Sequence, residues 1–406
     1  MDITKYLYAS YGKYITRFRA IPSDLDILRP VERRVILGTK EIADTKFTKS
    51  SKVVGHVMGS YHPHGDSSIY GTIVRYVING VIDGQGGFYT PGLKDSQPSA
   101  MRYTEVKLNK TISELIDLYK FAPTARLELE EEPLYFPTPL PIGLIGKEIN
   151  QGIAFHKTTL PNYKLSDLRD RLLFLLGKES KEPIIVPNLE GCDCVSDVNE
   201  LISLLRTGKA SLTFRSKVNS KPDGLHILGC PVSFNSLLKY AKNKNKQIID
   251  LSTDTMDIFI KDTLQNILPA ITGSIAFVCN VVNQDGIVYT KSIDDMLTDG
   301  FNLYMKALQA KFESELAILQ NKVEELNVLA RVKPIVKDTV NINDVISKLP
   351  DVPKEMIVRA CSSHSVTNLI NIVTDTSKLE EQIRVLQNKI SHVEKEAINI
   401  LKGLKV

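Results

Sequence analysis

The chain has 406 residues, 43% of them apolar and 24% charged, which suits an ordinary globular protein of about two to four domains. It has no run of about 18 apolar residues, which excludes a membrane-spanning helix. Its net charge of +4 is too small to argue for nucleic-acid binding in bulk, so any such activity has to come from a local patch.

The first residues, Met1 to Tyr14, carry charges and tyrosines instead of an apolar core, so they do not read as a secretory signal. The five cysteines form no paired CxxC, and their odd number argues against a disulfide framework. A reducing cytoplasm is the expected compartment.

Residues 1–130 are dense in Arg, Lys, His and Gly. Arg29-Pro30-Val31-Glu32-Arg33-Arg34 places three arginines in six residues near a helix start, forked donors suited to phosphate oxygens. A solvated basic face is the commoner fate of such a run. Residues 52–60 then read as a short helix. A turn follows at Tyr61-His62-Pro63-His64-Gly65, and Asp66 is placed to cap a helix through Ile69, Thr72, Ile73 and Tyr76. Helix, turn, helix is the helix-turn-helix pattern, a weak signal by itself. His56, His62 and His64 put three of the seven histidines in nine residues. A metal site is one reading, but no carboxylate or cysteine completes a ligand set, so phosphate contact ranks above it. Turn histidines without function are the default if nothing else stands nearby. In Met101-Arg102-Tyr103-Thr104-Glu105, a tyrosine beside an arginine is ordinary by itself.

Four prolines in the nine residues 133–141 predict an irregular connector. From about 142 to 295 the chain reads as mixed α/β. Strand patterns fall at 209–218, 224–232, 257–261, 274–282 and 286–291, and helices at 165–176 and 198–205. Asn283-Gln284-Asp285-Gly286 predicts a hairpin. Two long helices follow. One has apolar residues at Met305, Leu308, Phe312, Leu316, Leu319, Val323, Leu326 and Ala330, with Pro334 breaking it. The other has a strict four-three alternation from Leu379 to Leu404, started by a Ser377–Glu380 capping box. The spacing predicts an antiparallel pair with a small head at about 334–376.

Taken together, the motifs resemble a known family. Arg19-Ala20-Ile21-Pro22, the 29–34 run, Gly59-Ser60-Tyr61-His62-Pro63-His64-Gly65-Asp66-Ser67, Asp83-Gly84-Gln85-Gly86 and Ala100-Met101-Arg102-Tyr103-Thr104-Glu105 are similar to successive hallmarks of the breakage-reunion domain of bacterial type IIA topoisomerases. Their order matches, at nearly the family spacing. Gln151-Gly152-Ile153-Ala154 is similar to the family's later DNA-wedging segment. The resemblance is strong over 15–110, moderate to 165, and architectural beyond.

It implies an α+β multidomain chain. Residues 1–130 would be a winged-helix (helix-turn-helix) DNA-cleavage domain. Residues 131–295 would be a mixed α/β tower domain. Residues 296–406 would be a long antiparallel coiled coil with a small helical exit-gate head for dimerisation. Tyr103 is then the nucleophile that becomes 5′-phosphotyrosyl, with Arg102 stabilising charge on phosphorus. His62 and His64 contact phosphates of the cleaved strand, and His64 helps handle the phenolic proton. Arg29, Arg33, Arg34 and Lys52 are DNA-binding positions, Ser67 and Arg75 lie on the recognition helix, and Ile153 is the intercalating wedge.

Two departures stand out. Glu32 occupies a position where bacterial members usually carry histidine, and a carboxylate there is expected to pair with an arginine. Gly71 replaces an acidic residue linked to quinolone binding, so reduced quinolone sensitivity is expected. The stretch between Gly86 and Met101 is about two residues longer than the family norm.

The sequence has no GxxxxGK(S/T) loop and no acidic DxD cluster, and ends just after the second long helix without a DNA-wrapping domain. The resemblance therefore implies a homodimer that needs a separate ATPase/Toprim subunit in an A₂B₂ assembly. That partner binds the Mg²⁺ and ATP, with no metal held by this chain. The substrate is double-stranded DNA, relaxed or decatenated in the nucleoid, or in the host cytoplasm if the compact chain is phage-encoded. The rival readings are a catalytically silent DNA-architectural protein on the same scaffold and a pure coiled-coil scaffold.

Overall fold

A computed structural model describes the chain except at residues 1–6, 8–9, 13, 15–18, 90, 94–96, 148–149, 153–157, 232–233, 338–340, 363–368, 370–372 and 405–406. It is a mixed α+β protein dividing into two compact units, residues 1–304 with 401–406, and residues 305–400. Among the described residues no helix is long and apolar enough to cross a membrane.

The first unit begins with three helices and a small sheet. Helix α1 (Pro30–Ile42) starts on Pro30, whose missing N–H costs nothing there, and Glu32 Oε2 accepts from Arg29 N–H at 2.6 Å. Strand β1 (Thr48–Lys49) leads into α2 (Ser50–Ser60), then α3 (Asp66–Ile78), β2 (Ile82–Gln85) and β3 (Glu105–Leu108). The antiparallel sheet has the order β1-β3-β2. On α3 the spacing of three and four buries Ile69, Thr72, Ile73 and Tyr76. The opposite face, with Ser67, Ser68 and Gly71, is exposed. The helices and sheet share one core containing Val35, Ile36, Val53, Val57, Ile69, Ile73, Val106 and Leu108. Each such aliphatic side chain contributes about 1.5–3 kcal/mol. Asp66 is the first residue of α3, and Gly65, not Asp66, occupies the capping position.

The proline-rich stretch is more regular than expected at its start. After α4 (Lys110–Leu115), β4 (Thr124–Arg126) pairs with β5 (Glu131–Pro133) as a short hairpin, with Arg126 opposite Glu131. Pro133 ends that strand, where a missing donor is tolerated.

Two further sheets follow. β6 (Asn150–Gly152), β7 (Thr158–Leu160), β8 (Cys192–Cys194), β9 (Lys209–Ser216) and β14 (Thr272–Val278) form a five-stranded sheet ordered β6-β7-β14-β9-β8. α5 (Leu165–Leu175) lies between β7 and β8 in sequence. α6 (Val198–Thr207), next in the chain, packs on β9 and ends at Gly208, whose φ of +70° supplies the left-handed cap. β10 (Val218–Lys221), β11 (Gly224–Ile227), β12 (Ile248–Asp250) and β13 (Ile258–Ile260) form a four-stranded sheet ordered β10-β11-β13-β12. Helix α7 (Asn235–Asn243) covers it through Leu237 and Ala241.

The predicted hairpin at 283–286 joins β15 (Asn280–Val282) to β16 (Val288–Thr290), and Asn283 Oδ1 accepts from the amides of Asp285 and Ile287. This hairpin holds the segment around Pro22. Val282 N–H donates to Pro22 O at 2.9 Å, Tyr289 Oη to Asp24 Oδ2 at 2.9 Å, and Lys291 Nζ to Asp24 O at 2.8 Å.

Helix α8 (Ile293–Val336) begins in the first unit and continues in the second. It runs through Pro334 for two more residues. The bond lost is only that of the Ala330 carbonyl, so the break expected at the proline comes slightly later. Its end packs with α9 (Ile342–Lys348) and α10 (Lys354–Ser362) around Leu329, Val332, Val345 and Ile357. The last predicted helix is two helices, α11 (Ser377–Ser391) and α12 (Val393–Gly403). At the break, Ser391 Oγ donates to the Asn388 carbonyl and His392 Nδ1 lies 2.9 Å from the same oxygen. These local bonds compete with the helix ladder. Helix α11 also starts one residue earlier than predicted, with Thr376 capping and its Oγ1 2.7 Å from Glu380 Oε1.

Candidate active site

Tyr103 stands on a turn, not on a helix or strand. Its N–H donates to Ala100 O at 2.8 Å. The turn is fastened to the start of α2, where Ser50 N–H donates to Thr104 O and Ser51 N–H to Met101 O. Two amides that a helix N-terminus leaves unpaired are thereby satisfied. Thr104 is buried, and its Oγ1 donates to Ser50 Oγ at 2.8 Å. Gly86, at φ +102°, passes so close that a Cβ would lie 3.1 Å from the Tyr103 carbonyl oxygen. From this anchored base the Tyr103 side chain is 65% exposed. The Arg102 guanidinium carbon lies 4.6 Å from its ring centroid, a cation–π contact. Lys52, in the first turn of α2, is exposed and has no ion pair among the described residues.

The other cluster lies past the far end of α2. Arg34 is buried and fully engaged. Its Nε lies 2.8 Å and its Nη2 2.7 Å from the Glu132 carboxylate, and its Nη1 is 2.9 Å from Glu128 Oε2. Nη1 also lies 2.9 Å from His62 Nδ1. Burial, together with the charge of Arg34, pulls the His62 pKa down to about 4. His64 Nε2 lies 2.9 Å from Glu128 Oε1. Burial raises the Glu128 pKa, but the His64 hydrogen bond and Arg34 outweigh it, and the carboxyl sits below its usual range. Arg19 Nη2 is 3.2 and 3.1 Å from the two ring nitrogens of His64. That near-equidistance makes it a contact with the ring as a whole and not one directed bond. The two histidine rings meet edge-on at 5.0 Å.

Several expectations change at this point. Arg33 is buried with Nε and Nη2 on the Asp26 carboxylate at 2.7 and 2.9 Å. Arg33 and Arg34 therefore face inward and are already satisfied by carboxylates, not presented to phosphate. Glu32 does pair with arginine, bridging Arg29 at 2.7 Å and Arg75. Burial pushes its carboxyl up, but the two guanidiniums hold it below the ordinary range. Arg29 and Arg75 keep partial exposure, 16% and 27%. Ser67 is exposed and donates to Asp66. His56 is taken by Glu41 at 2.6 Å and so does not join His62 and His64. Ile153 lies outside the described residues.

The expected role of His64 toward Tyr103 meets a difficulty of distance: no hydrogen bond links their side chains among the described residues. The Tyr103 turn is fastened at Ser50 and the histidines follow Ser60, at opposite ends of the 11-residue α2, a helix roughly 16 Å long. Among the described residues, the partners of the His64 ring are Glu128 and Arg19.

The acidic partners Asp26, Glu128 and Glu132 escape a motif-based reading. For Glu128 and Glu132 the signal in the sequence is the acidic run at 128–132, which answers the basic run at 29–34. Among the described residues, no group of three or more His, Cys, Asp or Glu side chains could hold a metal ion.

A family model, that of the DNA gyrase/topoisomerase IV A subunit, matches residues 19–405. The chain is 34% identical over 239 residues to the DNA gyrase A subunit of Aminobacterium colombiense, covering 53% of this chain and 28% of that protein. It is 34% identical over 287 residues to that of Leptospira biflexa, covering 63% and 33%. With the Nocardioides protein of the same name it shares 26% identity over 394 residues, covering 85% and 42%. In each case less than half of the relative's length is spanned.

Proposed function

The chain belongs to the family of DNA gyrase and topoisomerase IV A subunits, and from that premise we propose that it is the DNA-cleaving and religating subunit of an ATP-dependent type II DNA topoisomerase. One observation carries the proposal: Tyr103 is exposed on a turn held by buried bonds, with the Arg102 guanidinium against its ring. In the reaction the phenolic oxygen forms a bond to a DNA phosphorus as the bond to the 3′ oxygen breaks. The phenol loses its proton and the 3′ oxygen gains one. A phenol, with a pKa of about 10, is a far better leaving group than an alcohol, so the 5′-phosphotyrosyl linkage reverses without loss of bond energy. Arg102 offers a fixed charge to the crowded phosphorus.

In this reading α1 to β3 form a winged helix, the five- and four-stranded sheets the tower, and the long helices a coiled coil ending in an exit gate. Double-strand cleavage needs two tyrosines, so the working form is a homodimer. The separation of Tyr103 from His62 and His64 along α2 supports it, because a second copy could bring its histidines to the first copy's tyrosine. Mg²⁺ and ATP belong to a separate ATPase/Toprim subunit, in an A₂B₂ assembly acting on duplex DNA in the cytoplasm. Exposed Lys52 and Ser67, together with half-buried Arg29 and Arg75, are the DNA contacts of this proposal, along with Ile153 as wedge. Relaxation or decatenation is the expected outcome.

The test is to mix the chain with its partner subunit, Mg²⁺ and supercoiled plasmid, then denature. Protein attached to 5′ ends, absent with Tyr103→Phe, is expected. No adduct under any condition would favour the DNA-architectural alternative.

A further inference from the structure

Between β2 and the Tyr103 turn the chain leaves at Gly87 and returns at Ser99. The base of this excursion is closed. Ser99 N–H donates to Gly87 O at 2.7 Å, and Tyr70 Oη donates to Ser99 O at 2.6 Å. The Tyr103 turn begins at the next residue, Ala100.

The far side of the excursion is planted on the four-stranded sheet. Leu93 N–H donates to Asp250 Oδ2 at 2.8 Å, and the Leu93 side chain packs against the core that includes Leu225, Ile258 and Ile260. Gly92 meets the same carboxylate so closely that a Cβ would lie 2.6 Å from Oδ2. Asp250 sits at the end of β12, where Ser252 N–H holds its other oxygen at 3.1 Å. Burial raises its carboxyl, but the bonds from Ser252 and Leu93 outweigh that and keep it below the usual range. It is therefore an anion at neutral pH, and charge-assisted bonds of this kind are about twice as strong as neutral ones.

A cavity of about 940 Å³ is lined by Phe88, Tyr89 and Leu93 of this stretch and by Leu228, Phe234 and Met256.

We infer that Asp250 is a positioning residue for Tyr103: it anchors the 87–99 excursion on the four-stranded sheet and thereby fixes the turn that presents the phenol. This rests on the reading of Tyr103 as the nucleophile. A misplacement of about 1 Å is enough to cost on the order of a hundredfold in rate, so loss of the anchor touches cleavage before it touches DNA affinity.

The experiment compares wild type, Asp250→Ala, Asp250→Asn and Gly92→Ala, each as the full chain with its partner subunit. Single-turnover cleavage and duplex affinity are measured for each. Hydrogen exchange at residues 99–104 is measured on the chain alone. Asp250→Ala and Gly92→Ala are expected to cleave about ten- to a hundredfold more slowly, to bind DNA within about twofold of wild type, and to exchange faster at 99–104. Asp250→Asn, whose amide oxygen still accepts from Leu93, should retain most of the rate. Wild-type cleavage by Asp250→Ala, or exchange at 99–104 no faster than wild type, overturns the inference. If wild type forms no adduct at all, the functional reading fails while the exchange measurement still decides the anchor.

Discussion

Arg34 donates Nη1–H to His62 Nδ1 at 2.9 Å, and because a guanidinium cannot accept, this contact fixes His62 as the neutral ring with its proton on Nε2. In the proposed role toward a phosphate, His62 would act as a neutral N–H donor, not as a cation.

A pH dependence follows from that pairing. The His62 pKa is about 4 in the folded chain against an ordinary 6.5. The unfolded chain binds the proton more readily, so the stabilisation is fully present above pH 6.5 and is lost as pH falls through 4. About 3 kcal/mol is at stake. Urea unfolding of wild type and His62→Gln across pH 7 to 4 should show their difference changing over this window. A difference independent of pH would sink the idea.

The basic residues divide by stability and salt dependence. Arg33→Met strands the buried Asp26 carboxylate, and is expected to cost about 3–5 kcal/mol while leaving the salt dependence of DNA binding intact. Lys52→Ala should leave stability within about 0.5 kcal/mol and flatten the log–log salt slope by about one unit. Urea melts paired with fluorescence anisotropy on a duplex separate the two. If Arg33→Met flattened the slope as Lys52→Ala does, the inward placement of Arg33 would be refuted.

Arg102→Ala should lower DNA cleavage by about 10²–10³-fold with a much smaller change in affinity. Arg102→Lys should recover only part, because an ammonium lacks the planar fork. Rapid-quench cleavage of a short duplex measures both, and a wild-type rate in Arg102→Ala would refute the assignment.

Two glycine substitutions are expected to act in opposite directions. A Cβ on Gly143 would fall 2.0 Å from the carbonyl oxygen of Ile27, a β-branched residue itself at φ +60°. Neither backbone can give way, so Gly143→Ala should destabilise by roughly 2–4 kcal/mol. Gly55 lies mid-helix with nothing within 4 Å of its Cβ position, and Gly55→Ala should add roughly 0.5–1 kcal/mol. Thermal unfolding decides both, and equal shifts would contradict the packing described.

Tyr103 and Arg102 are legible in the sequence because a short motif carries them and their exposure follows from a local turn. The helix through Ile69, Ile73 and Tyr76 is legible from its spacing. The pairings of Arg33 with Asp26 and Arg34 with Glu132 are not, since periodicity says nothing about which charge run meets which. The break at His392 is hidden for a different reason. The apolar spacing continues unchanged through it, and only side-chain bonds to the Asn388 carbonyl interrupt the ladder. The Asp250 anchor joins residues 157 apart, beyond the reach of any local pattern.

The clasp of Asp24 by Tyr289 and Lys291 has a kinetic consequence. Its bonds close loops of 265 and 267 residues, so the segment around Asp24 waits for all of that chain to be synthesised before it finds its place. Loop-closure entropy grows only slowly with length, but contacts of such separation form late. Pro22, Asp24 and the arginine run just after them leave the ribosome long before the hairpin that fastens them. A nascent chain therefore holds this segment unclasped until Lys291 has emerged.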